Sequence, residues 1–291
     1  MKGKSINLYL MDGEPSGRIK CTLANWTGIA YKIPRLQLEE CKDRDDLKQS
    51  GVYFLFGHDD ETDKFLVYVG QAGARKNGEG ILNRLSEHKK NPDKDYWNEA
   101  VAFTTQNNSF GPTEISYLEH SFCELAKDAN RFIVKNGNDP TIGNIAEEKE
   151  SELQEFIEHA RMIMGVLGYK VFEPLVSYSK YDGSTEAKTK ERVQLFFTQK
   201  GIIAQSMRTE EGIVLLSGSQ ISDKLTKSCP EYIVKLRTLH KDKIDADNKT
   251  TEDILFSSPS AAAAFVGGAS LKSATTYSLR QPTFLITGSA K

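Results

Sequence analysis

The sequence predicts an α+β fold within the broad α/β class: a small antiparallel sheet flanked by helices, followed by a smaller C-terminal α+β domain. Three observations lead there. The runs GVYFLFG (51–57) and VYVGQAG (67–73) bracket the polar stretch HDDETDK (58–64), the signature of a β-hairpin. Helix-period patterns follow the hairpin, and the polar, aperiodic stretch 178–192 separates them from a second set of strand and helix signals.

Taken in order, Ile6–Met11 alternates apolar and polar residues, Asp12-Gly13 marks a turn, and Arg18–Trp26 and Gly28–Ile33 read as two further strands. A short helix is expected over Leu36–Lys48. This leader, 1–50, is too short for an ample core of its own and should pack on the domain that follows, 51–177. It is assigned no chemistry. Within the hairpin, pairing centred on the turn sets Tyr53 opposite Tyr68 and puts both phenols on one face, since cross-strand partners share a face.

Beyond the Gly-rich connector 70–80 a helix begins, with Ile81, Leu82 and Leu85 on its apolar side. Arg84 and His88 stand one turn apart and flank that side, so both can face the tyrosines. Glu99–Gln106 is a third strand, and Gly111-Pro112 opens a helix with Pro in its first turn. There Ile115, Leu118, Phe122, Leu125 and Ala126 form the core-facing arc, with Glu119 at its edge. A carboxylate in that position needs compensation, by an ion pair or by a metal ion. The loop NGNDPTIGN (136–144) offers Asn136, Asn138 and Asn144, each explicable alone as turn chemistry.

An amphipathic helix over Glu147–Leu167, stopped by Gly168, should close this domain. After the linker, the C-terminal domain 193–291 starts with a hairpin, Val193–Thr198 and Ile202–Arg208. A strand at Gly212–Ser219 and helices at Pro230–His240 and Ser258–Val266 follow.

Composition narrows the function. With 291 residues, 38% of them apolar and 9% aromatic, the chain can build real cores. It has neither a membrane-length apolar run nor a signal-peptide pattern at its start, so a cytoplasmic location is expected. Cys21, Cys41, Cys123 and Cys229 lack the close pairing of a zinc site and are expected as free thiols. A net charge of −2 argues against indiscriminate coating of nucleic acid. The charge is segregated, however. Six basic residues against three acids between Arg75 and Lys94 coincide with the hairpin and its helix, whereas Glu147–Glu158 holds six acids against Lys149. There is no nucleophilic triad motif and no phosphate-cradling P-loop.

The two tyrosine-bearing strands, the helix with Arg84 and His88, and the sequence YLEH (117–120) together resemble the GIY-YIG nuclease family. Val replaces Ile in both tyrosine motifs, the loop between them is a few residues longer, and Gln71 stands where some relatives carry Lys. Arg75 or Lys76 could supply that charge. The resemblance implies a metal-dependent DNA endonuclease that hydrolyses phosphodiester bonds. Tyr53 would take or relay a proton from water, its phenol made more acidic by Arg84 or the metal. Tyr68 would orient Tyr53 or bind phosphate, His88 would share proton transfer, and Arg84 would stabilise the transition state. Glu119 would hold Mg²⁺ or another divalent cation such as Mn²⁺. Arg75, Lys76, Lys89, Lys90 and Asn138 are the expected DNA contacts, Asn138 being the family's site Asn. Tyr53, Tyr68, Arg84 and Glu119 should then open on one cleft, on one side of the sheet. The C-terminal region resembles an uncharacterised domain that accompanies such nucleases in many bacterial proteins, which implies architecture and substrate binding rather than catalysis. The alternative is a catalytically silent nucleic-acid-binding or regulatory module that kept the fold.

Overall fold

A computed structural model describes residues 3–73, 80–137, 145–176, 194–199 and 202–270. The chain divides into two compact units, Met1–Pro174 and Leu175–Lys291. Both are mixed α+β.

In unit 1 the strands are β1 (Ile6–Leu10), β2 (Ile19–Leu23), β3 (Gly28–Pro34), β4 (Gly51–Asp59), β5 (Lys64–Ala72), β6 (Trp97–Thr105) and β7 (Ile133–Val134); the helices are α1 (Ile81–Lys90), α2 (Pro112–Ala129) and α3 (Glu147–Val166). One seven-stranded sheet runs in the order β1-β2-β3-β6-β4-β5-β7. It is larger than the small sheet expected from the hairpin, because the leader adds three strands to it through the antiparallel β3–β6 pairing. All pairs are antiparallel except β5–β7, where Leu66 faces Ile133 and Val67 faces Val134.

The helix expected over Leu36–Lys48 is instead two 3₁₀ turns, Arg35–Cys41 and Asp45–Lys48. They bury Leu38, Cys41 and Leu47 against the sheet, which one continuous α-helix of about three and a half turns would not allow over so short a span of curved surface. The later helices follow their capping signals. Glu114 accepts from the Gly111 N–H at 3.0 Å at the start of α2, and Gly168, at φ +95°, ends α3 in a conformation that a side chain would strain.

The two faces of the sheet are covered differently. Val52, Phe54 and Phe56 of β4 face α2 and α3 in one core with Phe103, Phe122, Phe156 and Phe172. Tyr53 and Leu55 face α1 and the 3₁₀ turns in the other, with Tyr31, Ile81, Leu85 and Trp97.

Unit 2 holds β8 (Gln194–Gln199), β9 (Ile202–Thr209), β10 (Gly212–Leu215), β11 (Ile254–Phe256), α4 (Glu231–Leu239) and α5 (Pro259–Gly267), with an antiparallel sheet ordered β11-β10-β9-β8. Ser258 caps α5 by accepting from Ala261 N at 3.2 Å. Ala261 to Ala264 are all buried, so α5 is a close-packing helix. Arg237 of α4, half-buried over the Phe265 ring, donates to the Phe265 and Val266 carbonyls and closes the end of α5. Cys21, Cys41, Cys123 and Cys229 are free thiols, and among the described residues no helix is long and apolar enough to cross a membrane.

Candidate active site

The hairpin pairs two residues away from the expected register. Tyr53 lies opposite Gly70, and Tyr68 lies opposite Leu55. A slip of two keeps every side chain on its face, so the phenols still share a surface, now as diagonal neighbours with ring centroids 6.3 Å apart. The shift explains Gly70. A Cβ at that position would stand 2.3 Å from the Tyr53 hydroxyl, so only glycine lets the Tyr53 ring lie across β5.

The third member comes from α1, which presents His88 to both rings, at centroid distances of 5.4 Å from Tyr53 and 5.4 Å from Tyr68. Tyr53 Oη and His88 Nε2 are 2.6 Å apart, and both side chains are buried. Their electrostatics decide who holds the proton. Burial raises the Tyr53 phenol far above its usual range, Tyr68 adds to this, and Arg84 opposes it less strongly. The expected acidification of Tyr53 by Arg84 is therefore outweighed: the phenol keeps its proton. The His88 imidazole is pushed down to about 4, first by burial and then by Lys94 and Arg84, with Glu87 pulling the other way. At neutral pH the pair is a neutral phenol on a neutral imidazole.

Arg84 sits at the mouth, its side chain 45% exposed, and donates to Glu87 Oε2 at 2.5 Å. It is held protonated first by that bond and further by Tyr53. An exposed pair of this kind is worth roughly 0–1 kcal/mol, so the guanidinium is readily released from Glu87.

Glu119 approaches from elsewhere. The helix α2 that carries it packs on the opposite face of the sheet from α1, so the site residues do not all lie on one side as expected. The reason lies at the margin of β5. Its pairing with β7 ends at Val67, and Asn136 continues it for one step, accepting from Val69 N at 3.0 Å and donating to Val69 O at 2.7 Å. Further along this margin Gln71 lies beside Glu119 and favours its ionised form, and the carboxylate is coupled by charge to Tyr68, Tyr53, Arg84 and Lys94. Burial raises the Glu119 carboxyl above the ordinary range, while Gln71, Arg84 and Lys94 pull it back. Among the described residues no cation lies within ion-pairing distance of Glu119; Arg84 and Lys94 act on it only at longer range.

Five predicted residues, Tyr53, Tyr68, Arg84, His88 and Glu119, thus form one interacting group around the β5 margin. Lys89 is tied to Glu39 at 3.6 Å, and Lys90 is exposed at the end of α1. Arg75, Lys76 and Asn138 lie outside the described residues. Two contributors escaped sequence reasoning. Gln71, noted only for not being Lys, is the residue that engages Glu119. Lys94 stands 3.3 Å from the centroid of the Tyr68 ring; in the sequence it counts only as one of the six basic residues of 75–94, with the Asn91-Pro92 turn beside it.

A hard, half-buried carboxylate beside a neutral amide suits a cation that prefers oxygen and keeps much of its water, as Mg²⁺ does. No group of three or more His, Cys, Asp and Glu side chains gathers among the described residues, so protein donors around such an ion would be few.

Residues 195–277 match the family described as Domain of unknown function (DUF4357), a match that covers less than a third of the chain. No curated protein and no solved structure matches the chain.

Proposed function

We propose that unit 1 is a metal-dependent DNA endonuclease with a GIY-YIG-type site that hydrolyses phosphodiester bonds. The observation that carries this reading is the 2.6 Å contact between Tyr53 Oη and His88 Nε2, a neutral donor and acceptor pair beside an accessible guanidinium and a carboxylate. Such a pair can accept a proton from water without either group being charged beforehand. As the water oxygen bonds to phosphorus and the P–O bond opposite it breaks, the water proton passes to Tyr53 Oη while the Tyr53 proton passes to His88 Nε2, and the leaving oxygen takes up a proton from solvent. The imidazolium then holds the charge. Tyr68 packs against both rings and fixes their orientation. Arg84 exchanges Glu87 for the phosphate and offsets the negative charge that grows on its oxygens. Glu119 would hold Mg²⁺ or Mn²⁺, which would supply Lewis-acid stabilisation of the phosphate oxygens. Unit 2 is assigned substrate binding or targeting.

The alternative, a silent nucleic-acid-binding or regulatory module, is favoured by one observation: Tyr53 has no exposed surface, so water must reach its hydroxyl through a cleft that opens on binding. The deciding experiment incubates the full chain with supercoiled, linear and single-stranded DNA, with Mg²⁺ and with chelator. Cutting that needs Mg²⁺ and disappears in Glu119→Ala, at an unchanged melting temperature, supports the nuclease. Binding without cutting in any condition supports the silent module. A Glu119→Ala chain that melts far lower whatever the metal would mark Glu119 as a brace of the core, since breaking a buried pair costs roughly 3–5 kcal/mol.

A further inference from the structure

The connection from α1 to β6 delivers a second basic side chain to the cluster, and it is firmly built. Asn91 accepts from Asp93 N at 3.0 Å across the Pro92 turn. Arg35, from the leader, clamps the connection on both sides. It donates to Lys89 O at 3.2 Å, Asp95 O at 2.9 Å and Trp97 O at 3.2 Å, and stacks 5.0 Å from the Trp97 ring centroid.

Lys94 lies in the middle of this connection, half-buried, with its Nζ 3.3 Å from the Tyr68 ring centroid. Among the described residues no carboxylate lies within ion-pairing distance of it. Burial and the neighbouring Arg84 lower its pKa to about 8, and the distant Glu119 charge only partly opposes them. A ring face offsets part of the cost of burying an ammonium, but it supplies no acceptor in the plane of its three N–H donors. Arg84, by contrast, already has an anionic partner in Glu87.

On the nuclease reading of the site, we propose that Lys94 is a second phosphate-binding cation, held on the Tyr68 ring to grip a non-bridging oxygen of the scissile phosphate beside Arg84. The substrate would supply the anion that no described carboxylate supplies. An ammonium serves such a contact as a point charge. Its fixed perch sets it apart from Lys89 and Lys90, which ride on the outer part of α1.

The test uses the full chain with a short linear DNA duplex in chelator, so that nothing is cut, and measures affinity across a salt series. Lys94→Met should reduce the slope of log affinity against log salt by about 0.9, one phosphate contact, and Lys94→Arg should restore it. With Mg²⁺ present, kcat/KM should fall on the order of 10²-fold in Lys94→Met and recover in part in Lys94→Arg. Should Lys94→Met not fold, Lys94→Gln takes its place, with near-ultraviolet circular dichroism as the check. An unchanged slope in a folded variant overturns the role of Lys94, while cutting by the parent keeps the nuclease reading. A parent chain that neither binds this duplex nor cuts supercoiled, linear or single-stranded DNA with Mg²⁺ overturns both.

Discussion

One strand, β4, shows how differently the two faces of the central sheet are used. Phe54 packs with Phe122, Phe172 and Phe103 at centroid distances of 5.2, 5.6 and 5.9 Å, in a face closed over by α2 and α3. Tyr53, one residue earlier, is just as buried but ends in a hydroxyl; its neighbours Tyr68, His88 and Arg84, with Lys94 on the Tyr68 ring, supply donors, acceptors and charge. Burial acts on both faces with equal force. On the first it contributes apolar area and nothing else; on the second the same desolvation keeps the phenol protonated and the imidazole neutral. The contrast teaches that the polarity of single atoms, set by a one-residue phase along a strand, separates scaffold from chemistry.

The largest effect that would sharpen this contrast is expected on the dry face. Phe54→Ala should cost roughly 3–5 kcal/mol of stability by opening a cavity among aromatic rings, read as a lower urea midpoint. Any residual activity should fall only as far as the folded fraction does. On the polar face, Tyr53→Phe removes one oxygen and keeps the ring. Cleavage should fall by about 10²–10⁴-fold with little change in melting, and parent-like cutting would remove Tyr53 from the relay.

A pH effect of intermediate size follows from His88. Its imidazole sits near 6.5 when unfolded and at about 4 when folded. The unfolded chain therefore binds more protons between these values, and stability rises with pH there. The contribution is complete above pH 6.5 and is lost as pH falls through 4. It reaches at most about 3 kcal/mol. Comparing urea midpoints of the parent and His88→Asn at pH 7 and pH 4.5 isolates it, since the other carboxylates titrate in both chains. A difference that does not narrow on acidification would show that His88 is not buried as a neutral ring.

The smallest of these effects tests the close approach of the strands. Gly70→Ala places a methyl against the Tyr53 hydroxyl and should cost about 1–3 kcal/mol through displacement of that ring. Its diagnostic sign is a loss of cleavage larger than the loss of stability, because the contact to His88 depends on where the ring lies. Equal losses would mean that the Tyr53–His88 contact carries no chemistry.

Much of this was legible beforehand because it depends on local rules. Strand alternation put Tyr53 and Tyr68 on a common face even at a register two residues off, since the side-chain period is two. Helical spacing joined Arg84 to His88, and the Gly111-Pro112 and Gly168 signals bounded α2 and α3. Unit 2 showed its first hairpin and both helices through turn and capping residues, but not the short strand β11, whose three residues carry too little pattern.

What only the tertiary structure decided depends on contacts distant in sequence. The leader's three strands join the main sheet because β3 finds β6, some seventy residues away, and no periodicity names a partner strand. Arg35 becomes the clamp on the Lys94 connection for the same reason. Glu119 reaches the tyrosines around the margin of β5 from a helix on the far face, a route set by where β7 stops pairing. The proton-holding of Tyr53 and His88 was also undecided by sequence. It is a sum of desolvation and neighbouring charges, and those are fixed only when the chain has closed around them.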